Sequence, residues 1–354
     1  MSLSVGDLKA MAAPMALDFA RELAPGGHVS GTYYLTKSPL RADRKAGSFA
    51  IWIKGPAAGA WKDFAADEKG DLIDLIAEAR YGGRTRDQRG AAIKWLRHRL
   101  GVASASPKEL TIARARAKAA QRDREAREQQ AREAKSRRAF DLWLSGQPMG
   151  GTLGEAYLRA RGVEAGQIPN LSATFRFVPR LDYWRGGCAP HSGPAILGRY
   201  RRIDGRPAGS IHGTWLSADG RDKADLDPPK LSLGEYKGAF LPICKGETGA
   251  EVWEGAAPAP LVVTEGPEDA WTEAFAAPHL RVWAAGSLSN IGNLPWSPSI
   301  SAYLVVRQND WDTPAAVRAF ERAIAALERH GVPVEPIGVG AGKDPNDQLR
   351  RRSA

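Results

Sequence analysis

The chain has 354 residues, 43% of them hydrophobic and 25% charged, a length that allows two or three domains with cores of their own. No apolar run approaches the roughly 18 residues of a membrane span, and no basic N-terminal segment leads into an apolar one, so the expectation is a cytoplasmic protein with neither membrane anchor nor secretory signal. The net charge of +10 points to a polyanionic partner, although an arginine-rich, GC-biased composition gives the same balance, and two cysteines, Cys188 and Cys244, supply neither a disulfide framework nor the about four ligands of a zinc site.

Residues 1–105 read as a small α+β unit. SFAIWIKG alternates as a strand does, GAWKDFA is its expected hairpin partner, and GDLIDLIAEARYG is an amphipathic helix with Asp71 near its start and Gly82 beyond its end. AAIKWLRHRLG follows as a second helix, closed by Gly101. Residues 106–145 change character: Ala, Arg, Glu, Gln and Lys dominate, and neither Gly nor Pro follows Pro107. One long helix is expected there, polar on nearly every face and therefore a charged linker, not a core element.

Residues 146–256 are β-rich, with ATFRFVP, AILGRYRRI and GSIHGTWL as short alternating strands between Gly, Pro and Asp turns. Residues 257–354 alternate strand and helix, through PLVVTEG, PEDAWTEAFAA, LRVWAAG, SAYLVVRQND, TPAAVRAFERAIAALERHG and VPVEPIGVG. The expected class is α/β: a parallel, Rossmann-like sheet flanked by helices, preceded by an α+β subdomain and the small α+β N-terminal unit.

In such sheets, ligands bind outside the carboxyl ends of the strands. That rule places Glu265, Asp310 and Asp312 at one edge, far apart as they are in sequence. Carboxylates gathered there repel each other unless a cation sits between them, and magnesium favours such oxygen ligands alongside substrate phosphates. The residues point to magnesium-dependent phosphoryl transfer. Acids at strand ends also cap the helices that follow, which is the reading for Glu268 and Asp269, and spacing alone does not separate the two roles.

LVVTEGPEDA, YLVVRQNDWD and GKDPNDQL, in this order and in this strand–helix frame, resemble the Toprim domain shared by bacterial-type primases and topoisomerases. The resemblance covers residues 258–350, and RVWAAGSLSNIGNL is similar to the Toprim proteins of phage, plasmid and other mobile elements. It implies that Glu265, Asp310 and Asp312 are catalytic, and that these three with Asp344 and Asp347 hold magnesium or manganese. Upstream, the segment from PAILGRYRRI to KLSLG resembles the part of phage- and plasmid-type primases that forms the other wall of the polymerase cleft. That implies Lys223, Lys230, Lys237 and His212, with Lys343, as residues facing template and nucleotide. The N-terminal unit resembles a primase zinc-binding domain that has lost its ligands: Trp61, Phe64 and GDLIDLI are kept, whereas Asp63 and Ala66 stand where that family has cysteines, so no zinc is expected.

The pattern departs at RQNDWD. If QND matches the family's Asp-x-Asp, Gln308 replaces the first acid and Asp310 is the second, with Asp312 as compensation. If DWD matches, both acids survive, shifted by two residues and so still on the same face of an extended strand. The length of the preceding apolar run favours the first register. Glutamine offers a neutral carbonyl oxygen and attracts a cation less than a carboxylate does, so weaker metal binding is expected.

The leading expectation is a primase-like nucleotidyltransferase that makes short primers on single-stranded DNA from nucleoside triphosphates, with Glu265 as general base or second-metal ligand. No Walker A pattern occurs, so a replicative helicase or other replication protein would be a separate partner. The alternative is a catalytically weak or inactive single-stranded-DNA-binding protein of replication or of a mobile element, which Gln308 and the missing cysteines favour. A Toprim nuclease or strand-transferase ranks last: topoisomerase-type cleavage needs a nucleophilic tyrosine, and Tyr157, Tyr183 and Tyr236 have no context that singles one out.

Overall fold

The alternating segments near the N-terminus form a five-stranded antiparallel sheet, β1 (His28–Ser30), β2 (Tyr33–Thr36), β3 (Phe49–Trp52), β4 (Trp61–Asp63) and β5 (Glu68–Gly70), each strand beside the next. Four helices, α1 (Val5–Ala12), α2 (Ala16–Leu23), α3 (Leu72–Tyr81) and α4 (Arg86–Arg99), set Leu8, Phe19, Ile76 and Leu96 against Phe49, Ile51 and Trp61. The computed structural model describes residues 3–43, 47–103, 107–168, 171–184, 191–309, 313–340 and 344–352, and the chain divides into two units, Met1–Ala131 and Arg132–Ala354.

Helix α3 begins with a capping box between Asp71 and Asp74 and ends at Gly82, whose φ of 72° is in the left-handed region that favours glycine. Trp61 is fully buried, stacks on Phe49 with centroids 5.1 Å apart and donates its indole N–H to the Asp71 carbonyl at 3.1 Å. Trp61→Ala is expected to cost about 3–5 kcal/mol. Hydrogen exchange should show the β3 and β4 amides losing protection while those of the second unit keep theirs.

At one of the positions where the resemblance implies a lost zinc ligand, Asp63 is buried and accepts the N–H groups of Ala65 and Ala66 at 3.0 and 3.3 Å and the Arg41 guanidinium at 3.0 Å. Burial opposes its charge, but these donors outweigh it and hold its carboxyl below the usual range. A hydrogen-bonded carboxylate organises this turn.

Helix α5 (Pro107–Ser145) runs for 39 residues, as its Ala/Arg/Glu/Lys composition predicts. Its end departs from a solvated spacer: Ala139 and Trp143 are buried against Val178, Leu197 and Ile211. Two apolar residues four apart share a face. One such pair at the end of a long polar helix is lost in the character of the whole run.

The second unit continues with α6 (Leu153–Ala160), α7 (Leu171–Thr174) and an antiparallel sheet of β6 (Phe175–Asp182), β7 (Ser192–Arg201), β8 (Pro207–Trp215) and β9 (Lys230–Leu233). Next come β10 (Leu241–Lys245), β11 (Ala259–Thr264), α8 (Pro267–Ala276), β12 (Arg281–Ala284), α9 (Leu288–Ile291), β13 (Ile300–Arg307), α10 (Pro314–Glu328), β14 (Val334–Gly338) and α11 (Pro345–Arg352). Strands β12, β11, β13 and β14 are parallel neighbours, and β10 is added antiparallel at the β12 edge. The two sheets share a core in which Trp271 meets Phe175 edge-on at 5.0 Å and Val262 and Val282 pack with Ile196. Among the described residues, no helix is long and apolar enough to cross a membrane.

Candidate acidic site at the sheet edge

Strands β11 and β13 run side by side with Val263 opposite Val305, so their carboxyl ends deliver Glu265 and Gln308 to the same edge. Beyond Glu265 the chain enters α8 through Gly266 at the N-cap and Pro267 in the first turn, where a missing N–H costs no hydrogen bond. Glu268 and Asp269 occupy that first turn and are only 7% and 4% exposed. Acids that merely capped the helix would be solvated. These two face inward.

Glu268 is the centre of a cationic cluster. Its carboxylate lies 3.2 Å from the Lys230 ammonium and 3.6 Å from that of Lys223, and it accepts the Tyr157 hydroxyl at 3.3 Å. Burial alone would raise its pKa, but Lys230, Lys223 and Arg161 overcome that and hold it well below the ordinary glutamate range. Lys230 is raised in turn, by Glu268 first and then by Asp269 and Glu265. Four charged groups from β9, the end of β11 and α8 therefore act on one another.

Asp269 has the opposite balance. Burial, then the charges of Asp344 and Glu268, push its carboxyl up to about 8, against the pull of Gln308 and Lys230. Gln308 donates its amide N–H to Asp269 at 2.5 Å. The departure from the family pattern thus has a specific partner: the amide at position 308 donates to a buried acid, where a carboxylate would repel it.

Of the residues expected at the site, Glu265, Lys223 and Lys230 come together here, and Asp344 reaches it through Asp269. Asp344 also caps α11, accepting the Asp347 backbone N–H at 2.8 Å, which places Asp347 in the first turn of that helix. Asp310, Asp312 and Lys343 lie outside the described residues. Lys237 is exposed, beside Tyr236. His212 is buried, 3.5 Å from the Tyr200 hydroxyl, and burial followed by the Lys230 charge brings its pKa down to about 4. The ring is neutral at pH 7 and offers hydrogen bonding, not charge. Tyr200 itself is wedged by Gly286, at φ 84°, where any Cβ would meet the phenol oxygen at 2.0 Å.

Sequence reasoning missed Asp269, Glu268, Tyr157 and Arg161. The available signal was a glutamate followed three and four residues later by two more acids. Asn346, in the closing motif, is a bracket: its amide donates to the Arg161 carbonyl at 2.9 Å and to the Thr272 hydroxyl at 3.2 Å, tying α11 to α6 and α8.

Among the described residues, no three His, Cys, Asp or Glu side chains are grouped as a metal cage. The donor chemistry nevertheless suits magnesium. Asp269 and Asp344 are hard oxygen donors whose repulsion, visible in the raised Asp269, a divalent cation would relieve.

Residues 260–354 match the Toprim domain family, and residues 133–243 match a domain of unknown function (DUF7146). No curated protein matches the chain. Among solved structures, the chain is similar to an Aquifex aeolicus primase comprising zinc-binding and RNA polymerase domains, at 15% identity and TM-score 0.39, over 99% of this chain and 83% of that one. It is also similar to the primase fragment of the bacteriophage T7 primase-helicase, at 16% identity and TM-score 0.37, over 58% and 76%. A primase catalytic domain bound to single-stranded DNA aligns at 15% identity and TM-score 0.42, over 62% and 75%. The family match falls on the parallel sheet and its acidic edge, so this chain carries a Toprim domain over residues 260–354.

Proposed function

We propose that this protein is a primase-like protein of DNA replication that makes short primers on single-stranded DNA from nucleoside triphosphates. The observation that carries the reading is the gathering of Glu265, Glu268 and Asp269 around Lys230 at the carboxyl edge of the parallel sheet, with Asp344 acting on Asp269. Asp269 and Asp344 would hold magnesium or manganese, with Glu265, Asp310, Asp312 and Asp347 joining them as the sequence pattern implies. When bound, such an ion neutralises phosphate charge and aligns the attacking hydroxyl. Lys230 and Lys223, held beside the acids by Glu268, supply the positive charge for a triphosphate, and neutral His212 a hydrogen bond. Exposed Lys237 would face the strand, and Lys343 would join it as the sequence pattern implies. In this reading the protein works in the cytoplasm with a separate helicase or other replication partner.

A second reading, strand binding without catalysis, is favoured by Gln308, whose amide occupies an Asp269 oxygen that a metal would need. Primer synthesis on single-stranded DNA with labelled nucleotides, in magnesium and then manganese, separates the two. Metal-dependent products, reduced about 100-fold or more by Glu265→Gln, are expected. Absence of product from both proteins, with unchanged strand binding, leaves the second reading.

A further inference from the structure

We propose a second nucleic-acid contact: a groove between the end of α5 and strands β7 and β8 that holds a single strand, its phosphate on Arg199 and Arg137 and a base against Phe140. The groove encloses about 300 Å³ and is lined by Arg137, Phe140, Trp143, Arg199, Pro207 and Gly209. Successive strand residues point to opposite faces of a sheet. Leu197 and Ile211 pack under α5, whereas Ile196 and Tyr200 join the core shared with the Toprim sheet. The groove therefore lies on the far side of β7 and β8 from the acidic edge.

Its cations differ in how they are used. Arg176 sits 4.8 Å from the Trp143 ring and donates to the carbonyls of Trp143 and Gly146 at 3.1 and 3.4 Å, finishing the helix. Arg199 lies over the same ring at 4.6 Å, yet its buried Nε–H has no hydrogen-bond partner. Among the described residues, neither Arg199 nor Arg137 pairs with a carboxylate. Burial and the charges of Arg201 and Arg176 push Arg199 down to about 10, as befits a cation cluster short of an anion. Phe140 and Leu144 stand at the end of the same helix, 52% and 56% exposed. An exposed ring beside an unpaired guanidinium matches an unstacked base with its phosphate, and a paired duplex keeps its bases from such a ring.

The inference rests on the proposed action on single strands, but its test needs neither metal nor synthesis. Fluorescence anisotropy of labelled oligothymidylate and oligouridylate, without divalent metal and over a salt series, would compare the full chain with Arg199→Ala and Phe140→Ala. Thermal melting by circular dichroism confirms that each variant folds. Each is expected to bind at least about fivefold more weakly. Arg199→Ala should also lower the salt slope by about one, which Phe140→Ala should not do. Weakening for both oligonucleotides assigns the groove to any single strand, and weakening for oligothymidylate alone assigns it to DNA. Wild-type affinity and slope in both folded variants, or no binding by the wild type, would overturn the proposal. Weakened binding alongside absent primer synthesis would remove the catalytic reading and leave this one standing.

Discussion

Gln308→Glu is expected to make the Toprim sheet edge depend on a divalent cation for its stability. The exchange keeps the side chain's shape and replaces the N–H that Asp269 accepts at 2.5 Å with an oxygen. Asp269 is buried and already opposed by Asp344 and Glu268, so the new charge enters the place least able to take it. Above pH 8, where the Asp269 carboxyl is ionised, loss of the donor and addition of a like charge should together destabilise the metal-free protein by about 3 kcal/mol. Magnesium that binds only the folded variant restores stability by mass action, about 2.7 kcal/mol at a hundred times its dissociation constant. Thermal melting with and without magnesium reads both effects. Identical melting of wild type and variant in chelator would show that the amide does not hold Asp269 in solution.

The second large effect belongs to Glu268. Glu268→Gln removes the charge that neutralises Lys230 and Lys223, leaving both ammonium groups beside a buried site. Removing one partner from a fully buried pair costs about 3 kcal/mol or more; with these ammonium groups about one-third exposed, a loss of about 1–2 kcal/mol is expected. Lys230→Met removes the other side, and the double variant should recover part of the loss, with a coupling of about 1–3 kcal/mol in a double-mutant cycle from urea denaturation. Strictly additive single effects would mean that the pair is not coupled, and that Glu268 does not hold Lys230 against the acidic edge.

How much of this was legible in the sequence differs by element. The parallel strands and α8, α10 and α3 were readable because their apolar periodicity coincides with clear stops: Gly266–Pro267 before α8, Thr313–Pro314 before α10, Gly82 after α3. Strand β9 was not read as a strand, since KLSL is short and follows two prolines, and its membership in the sheet is fixed by pairing with β8. Strand β10 was hidden for a related reason. LPICK reads as a buried run, and nothing local says that its partner is β12, some forty residues on. At the site, the strand-end rule found Glu265 but treated Glu268 and Asp269 as caps, because the sequence shows a first-turn acid without showing what faces it. Only the tertiary fold brings Lys223, Lys230 and Tyr157 to Glu268, and Gln308 to Asp269. The polar helix α5 was recognised along its length, whereas the burial of Trp143 depended on a sheet that begins thirty residues later.

The antiparallel strand β10 has a consequence for how this protein can be taken apart. The segment that completes the Toprim sheet is supplied from before the Toprim sequence begins, and β12 has β10 as its partner on that side. A fragment started at Ala257 would keep the whole acidic edge but leave a buried strand, Arg281–Ala284, with its backbone groups bare. An open edge of that kind recruits whatever strand it meets. The family boundary and the folding boundary therefore fall in different places, and a graft or deletion that respects the first would tear the second along a seam of main-chain hydrogen bonds.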